Sequence, residues 1–222
     1  MLGDPRLQSY AAWTTGWIEA TKGEWQAGLE ACQRSLECAP DPLNTGVTLG
    51  FMGCAYLEKG DSLEAIAALE QAVQYMHRFR FRQLQGRFTT WLGEAYLLSS
   101  QIDKARDLVS QGLETTRDVK FWDGVGWAQR ALGRIAQASG SLAEADSLLR
   151  EALQTFISIQ GRFEVGRTHL GLAALAHATG NREATTTHLI EAHALFTALQ
   201  VPKHVARTEQ HAREYGIERF AP

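Results

Sequence analysis

The sequence predicts an all-α solenoid, a stack of five helical hairpins closed by one further C-terminal helix. Three observations carry that expectation. The first is a frame that returns at a constant step. Gly53, Tyr56, Gly60, Ala65 and Ala72 are followed by Gly93, Tyr96, Ser100, Ala105 and Gly112, then by Gly133, Ala136, Gly140, Ala145 and Ala152, then by Ala173, Ala176, Gly180, Thr185 and Ala192. The step from Gly53 to Gly93 is repeated from Gly93 to Gly133 and from Gly133 to Ala173, with no insertion. A fixed period of this size means one supersecondary unit stacked on copies of itself. The second is a stop and a restart inside each repeat. Gly60, Gly140 and Gly180 stand where a helix should end on a left-handed residue, and Asp61, Ser141 and Asn181 follow as N-caps. The third is a constant packing register. Met52, Leu92, Leu132 and Leu172 on the first helices face Leu69, Val109, Leu149 and Leu189 on the second. Small residues between them let the two helices approach.

In chain order, residues from about 6 to 41 form a variant first hairpin, fitted by Gly16, Gly23, Cys32 and Pro40, in which Trp13, Trp17 and Trp25 replace smaller residues. These tryptophans either cover the end of the core or offer an aromatic contact surface. The Pro40-Asp41-Pro42 turn opens the second hairpin, residues 42–80. It ends in the basic stretch His77 to Arg82, where cations suit a helix C-terminus and where Phe81, repeated as Phe121, is expected in the packing between repeats. The third, fourth and fifth hairpins cover residues 81–120, 121–160 and 161–200, and a capping helix covers 202–215. All belong to one solenoid domain, 1–222, because each repeat needs its neighbours to bury its faces. Asp61 with Glu64 and Ser141 with Glu144 have capping-box spacing. A stricter glycine series, Gly46, Gly86, Gly126 and Gly166, is expected to mark where each first helix crosses the preceding second helix. On that reading Gly126→Val is more damaging than Gly124→Val. Leu69, Val109, Leu149, Leu132, Ala105 and Ala145 are expected in the core.

The frame resembles the tetratricopeptide repeat, whose ~34-residue unit carries W-x2-L-G-x2-Y and a later A-x3-F. Leu92, Gly93 and Tyr96, with Ala105 and Val109, carry the likeness. The longer period, and segments such as Ile159 to Gly166, resemble the long repeats in the helical tails of bacterial signal-transduction ATPases, including maltose-activator-type regulators and cyclase–ATPase fusions. The resemblance implies a right-handed superhelix. It also implies a non-catalytic protein–protein interaction scaffold, the partner-binding or sensory tail of a larger bacterial signalling protein. The alternative is a freestanding regulator that docks a peptide or small molecule in its concave groove.

Composition narrows the partners. The chain is 45% hydrophobic and 21% charged, with a net charge of −3, against the basic surface expected of a nucleic-acid binder. No apolar run approaches the ~18 residues of a membrane span. The start of the chain lacks a signal pattern, and three cysteines without metal spacing point to a reducing cytoplasm. Catalytic motifs are missing, so no enzyme, cofactor or metal site is expected. His188 and His193 are five apart, His169 and His177 eight apart, whereas helical zinc ligands favour spacings of one turn.

In tetratricopeptide-like solenoids the first helices line the groove. Counting each glycine of the 46, 86, 126, 166 series as position one, positions two, five, six, nine and twelve should face it. The candidates are Arg87, Thr90, Trp91, Glu94 and Leu97, then Trp127, Arg130, Ala131, Arg134 and Gln137. Arg167 and His177 follow from the fifth hairpin, Arg207 and His211 from the last helix. Arg130, Arg207 and His211 match the basic positions of a carboxylate clamp, but Arg134 and Gly171 stand where asparagines belong. The expected partner is therefore a protein or peptide, in particular an acidic or C-terminal segment, with Trp91 and Trp127 giving apolar contact. Removing Arg130 and Arg134 together should weaken binding without lowering the melting temperature.

Overall fold

The computed structural model describes residues 4–39 and 41–217; Pro40 lies outside the described residues. Eleven helices occupy them: α1 Pro5–Lys22, α2 Trp25–Cys38, α3 Pro42–Lys59, α4 Ser62–Arg78, α5 Arg82–Leu98, α6 Ile102–Asp118, α7 Trp122–Ala138, α8 Leu142–Ser158, α9 Arg162–Ala178, α10 Arg182–Ala198 and α11 Pro202–Glu214. They form five antiparallel hairpins and a last helix, an all-α solenoid. The described residues divide into two compact units, one ending at Gly124 and the other beginning at Val125.

The backbone repeats twice as fast as the sequence. From α4 to α10 all the helices have the same length. They start at Ser62, Arg82, Ile102, Trp122, Leu142, Arg162 and Arg182, a constant step of half the sequence period. The connections explain this regularity. Residues with positive φ fall at Gly60, Arg80, Ser100, Lys120, Gly140, Gln160, Gly180 and Gln200. Each closes a Schellman turn, as where Phe81 N–H reaches Met76 O at 2.9 Å and Ser141 N–H reaches Ala136 O at 2.9 Å. Five of these sites carry a side chain in a left-handed conformation that disfavours it by about 1–2 kcal/mol. Tertiary packing therefore overrides local preference at those turns.

The expected register holds. Leu69, Val109, Leu149, Ala105 and Ala145 are fully buried, and Leu132 is 8% exposed. Burying a leucine side chain contributes about 1.5–3 kcal/mol, so these columns supply much of the cohesion of each hairpin. Cys32 and Cys54 are buried as well, and burial pushes the Cys32 thiol up to about 12.

Four expectations need correction. The strict glycine series marks the crossing within each hairpin, not the crossing onto the preceding one. A Cβ on Gly46 would lie 2.3 Å from Tyr75 Cβ, on Gly86 2.7 Å from Thr116 Cγ2, on Gly126 2.6 Å from Phe156 Cε1 and on Gly166 2.9 Å from Phe196 Cε1. All four neighbours sit on the following second helix. Successive first helices meet instead at Gly50, whose Cβ would fall 2.2 Å from Phe88 Cζ. Gly124 is as confined as Gly126, with Thr116 Cγ2 and Phe121 Cδ1 at 2.5 and 2.6 Å from its Cβ position. The capping boxes do not form: neither Asp61 nor Ser141 makes a side-chain cap bond. Asp61 pairs with Lys59 at 2.6 Å instead, and Asn181 alone of the three caps Ala184 N–H. Phe81 is 41% exposed. As the N-cap of α5 it sits at a hairpin corner, outside the columns of packed side chains.

Candidate partner-binding faces

In the first unit the first-helix face is built from rings. Trp13 on α1 stacks on Phe51 of α3 at 4.8 Å and 3°. Trp17 lies 5.3 Å from the same ring. Phe88 and Trp91 of α5 meet Phe51 edge-on at 5.6 and 6.0 Å. Trp13 and Trp17 thus cover the core at this end, while Trp25 stays 37% exposed. Among the rings stands Arg87, half-buried. Its guanidinium lies 5.0 Å from Trp17, 5.7 Å from Trp91, 5.8 Å from Phe51 and 5.0 Å from Phe121. Cation–π contacts of this kind contribute ~0.5–2 kcal/mol each. Trp91 is 6% exposed, so its ring belongs to the packing more than to an open surface. Glu94 is half-buried one turn further on.

In the second unit the corresponding face is ionic. Trp127 and Arg130 of α7 are each 6% exposed. The Arg130 guanidinium donates to the carboxylate of Glu164 on α9, with the Glu164 carbonyl at 3.5 Å, and lies 5.3 Å from the Phe156 ring. Burial by itself would raise the Glu164 carboxyl. The charges of Arg130 and Arg167 and hydrogen bonds from Arg130 and Trp127 outweigh it, so the group is held below the usual carboxylate range. Three of the residues singled out in the sequence, Trp127, Arg130 and Arg167, therefore converge on one internal carboxylate. Glu164 itself escapes a search for cations. The available signal is an acid three positions before Arg167, on the same helix face.

The other candidates are dispersed. Arg134 on α7 and Arg207 on α11 are exposed, and Gln137 is half-buried. Thr90 and Ala131 are fully buried, which takes both out of any open groove. His177, exposed at the end of α9, stacks on Tyr215 at 4.1 Å and 15°. His211 contacts Glu214 at 3.2 Å. A histidine contact that no helical spacing signals joins α9 to α10: His169 Nδ1 and His188 Nδ1 are 3.0 Å apart. One ring must donate and the other accept, which requires at least one neutral ring. Burial and the neighbouring His188 push His169 down to about 4. No group of three or more His, Cys, Asp or Glu able to hold a metal occurs among the described residues. No described helix is long and apolar enough to cross a membrane.

Comparisons with known proteins agree with the helical-repeat fold. Two tetratricopeptide-repeat family models match, over residues 48–75 and 86–158. A search of curated protein sequences finds no match. Among solved structures, a Rap protein complexed with Competence and Sporulation Factor superposes with TM-score 0.79 at 11% identity, over 97% of this chain and 66% of its own. The Rap conjugation gene regulator of plasmid pLS20, in complex with the Phr* peptide, gives 0.80 at 15% identity, over 96% of this chain and 60% of its own. The TPR-like repeats of a kinesin light chain from Podosopora anserina give 0.58 at 18% identity, over 90% and 99%. This chain spans less than two thirds of the two Rap chains. It carries tetratricopeptide repeats, and over nearly its whole length its fold is that of these helical-repeat proteins.

Proposed function

We propose that the chain is a non-catalytic protein-interaction scaffold that takes a peptide segment on its first-helix faces, and that the second unit prefers an acidic or C-terminal segment. The observation that supports this most directly is the cluster of Trp127, Arg130 and Arg167 around Glu164. It demonstrates a carboxylate held by first-helix side chains of that unit. Guanidinium forks match carboxylates geometrically. Beyond that cluster, Arg134 and Arg207 present exposed guanidinium groups on first helices of the same unit. Two structural neighbours are complexes, one with Competence and Sporulation Factor and one with the Phr* peptide, which favours a peptide as ligand. We take residues 1–222 as one solenoid domain of the long, maltose-activator-type repeat. In our reading it is the partner-binding or sensory part of a larger cytoplasmic signalling protein of bacteria. The freestanding peptide-binding regulator is the second reading, supported by the same two complexes.

The test is a screen of this chain against an array of C-terminal and internal acidic peptides, followed by titration of the best binder. Arg134→Ala with Arg207→Ala should weaken binding at least tenfold, and raised salt should weaken it further. Unchanged affinity in the double variant would remove the second unit's first-helix face as the site.

A further inference from the structure

Outside the packed columns, the joint between α4 and α5 carries a run of exposed basic and aromatic side chains, Arg78 to Arg82. Arg117, Lys120 and Trp122 are exposed at the joint between α6 and α7. Both joints lead from a second helix to the next first helix, so they lie at one end of the stacked hairpins, within the unit that ends at Gly124. Arg82 ties them together, donating to Asp118 at 2.9 Å. Three large rings stand in the open: Phe79 is 40%, Phe81 41% and Trp122 53% exposed. Arg78, Arg80, Arg117 and Lys120 make no ion pair among the described residues. The acids at these two joints are Glu114, Asp118 and Asp123, of which Asp118 is held by Arg82, and the cations outnumber them. At the opposite end of the same unit the cations are neutralised, Lys22 by Glu19 and Lys59 by Asp61. The fold does not require this chemistry. Arg80 and Lys120 each take a φ of 55°, and Gln160 and Gln200 make the same turn at 59° and 57° in later joints.

We propose that this end of the first unit docks on an anionic lipid surface. Phe79, Phe81 and Trp122 enter the headgroup boundary, while Arg78, Arg80, Arg117 and Lys120 meet the negative charges of the lipids. Unpaired cations select a negatively charged partner, and rings in the open gain from an apolar one. The boundary layer of an anionic bilayer offers both together, and tryptophan favours that layer. A single nucleic-acid strand would also use the rings, for stacking, but it needs a groove that follows its backbone. A cleft does border Phe79, yet Arg6, Asp41, Pro42, Leu43 and Asn44 line the rest of it, and no residue of the α6–α7 joint does. The turns that end two adjacent hairpins instead suit a flat surface, which meets both at once. The contact is peripheral, since no described helix is long and apolar enough to cross a membrane. It is independent of peptide binding in the second unit.

The test mixes the full chain with vesicles of phosphatidylcholine, with and without phosphatidylserine, and reads bound protein by flotation. Binding is expected only where phosphatidylserine is present, and raised salt should weaken it. Each basic residue close to an anionic leaflet strengthens binding by roughly fivefold. Arg80→Gln with Lys120→Gln, which copies the later joints, should therefore weaken binding at least tenfold at an unchanged melting temperature. Phe79→Ala with Trp122→Ala should weaken it as well, and brominated acyl chains should quench the indole emission of the wild type more than that of Trp122→Ala. A labelled oligouridylate is titrated in parallel by fluorescence anisotropy. Absence of binding to phosphatidylserine vesicles, or binding that either double variant leaves unchanged, overturns the proposal. So does binding of the oligouridylate that both double variants weaken, because the occupant is then a nucleic-acid strand.

Discussion

The two units place their first-helix faces at the same positions of the same frame and hold them together by opposite means. Around Arg87 the first unit packs Trp17, Phe51, Trp91 and Phe121. Around Glu164 the second gathers Arg130, Arg167 and Trp127. Arg87 and Trp127 are equivalent, one period apart, as are Trp91 and Ala131. The difference teaches that the repeat fixes where a side chain stands while leaving its chemistry free. One face is held by rings gathered around a single guanidinium, the other by a buried ion pair.

The largest expected effect is Phe51→Ala. It removes the ring on which Trp13, Trp17, Phe88 and Trp91 lean, and a buried Phe→Ala change costs about 3–5 kcal/mol. The loss, read from denaturant midpoints, should be the same at low and high salt. Second comes Arg130→Ala, which strands a mostly buried carboxylate. Breaking a buried pair costs about 3–5 kcal/mol, and the low end applies because Arg167 remains beside Glu164. This revises the expectation that removing Arg130 leaves the melting temperature alone. Replacing the pair together, Arg130→Met with Glu164→Leu, should restore most of the stability, and failure to do so would mean the ion pair is worth more than its apolar substitute. The smallest effect is acid sensitivity. His169 titrates at about 4 in the folded protein against roughly 6.5 unfolded. The unfolded chain therefore binds more protons between those values, and stability falls as pH is lowered through that window. Glu164, held down in the folded state, adds a further loss only below the unfolded carboxylate range. His169→Gln should flatten the slope of melting temperature against pH across that same window.

Much of the fold is legible because packing small against large leaves a one-dimensional trace. The constant step locates every hairpin, and Leu149 or Val109 can be assigned to the core from register alone. What the pattern conceals is direction. Gly46 and Gly53 stand two helical turns apart and so share one stripe; both face the partner helix of their own hairpin. That inference was available from the spacing, but in-register glycines by themselves do not say which neighbour approaches. The site is less legible for a different reason. Arg130 reads as a groove cation because nothing local to α7 reveals an acid on α9, the next first helix. His169 and His188 escape for the same cause, since a contact between helices leaves no i, i+4 spacing. Ser100 and Arg80, lacking the glycine signal, still take the left-handed turn that their neighbours in space impose.

The uniform connection has a consequence for how such a chain can change length. Since α4 to α10 share one size and one type of joint, a cut at any joint meets an identical cut one full period away. Whole hairpins can be spliced in or out by recombination without reshaping a single helix or turn. A splice of half a period meets the same backbone but exchanges first for second helices, setting Leu149-type columns where Arg130-type surfaces belong. The joints therefore act as a ratchet for gene duplication, permissive at one step length and prohibitive at half of it. New chemistry, such as the exchange of a ring cluster for an ion pair, can be acquired one hairpin at a time.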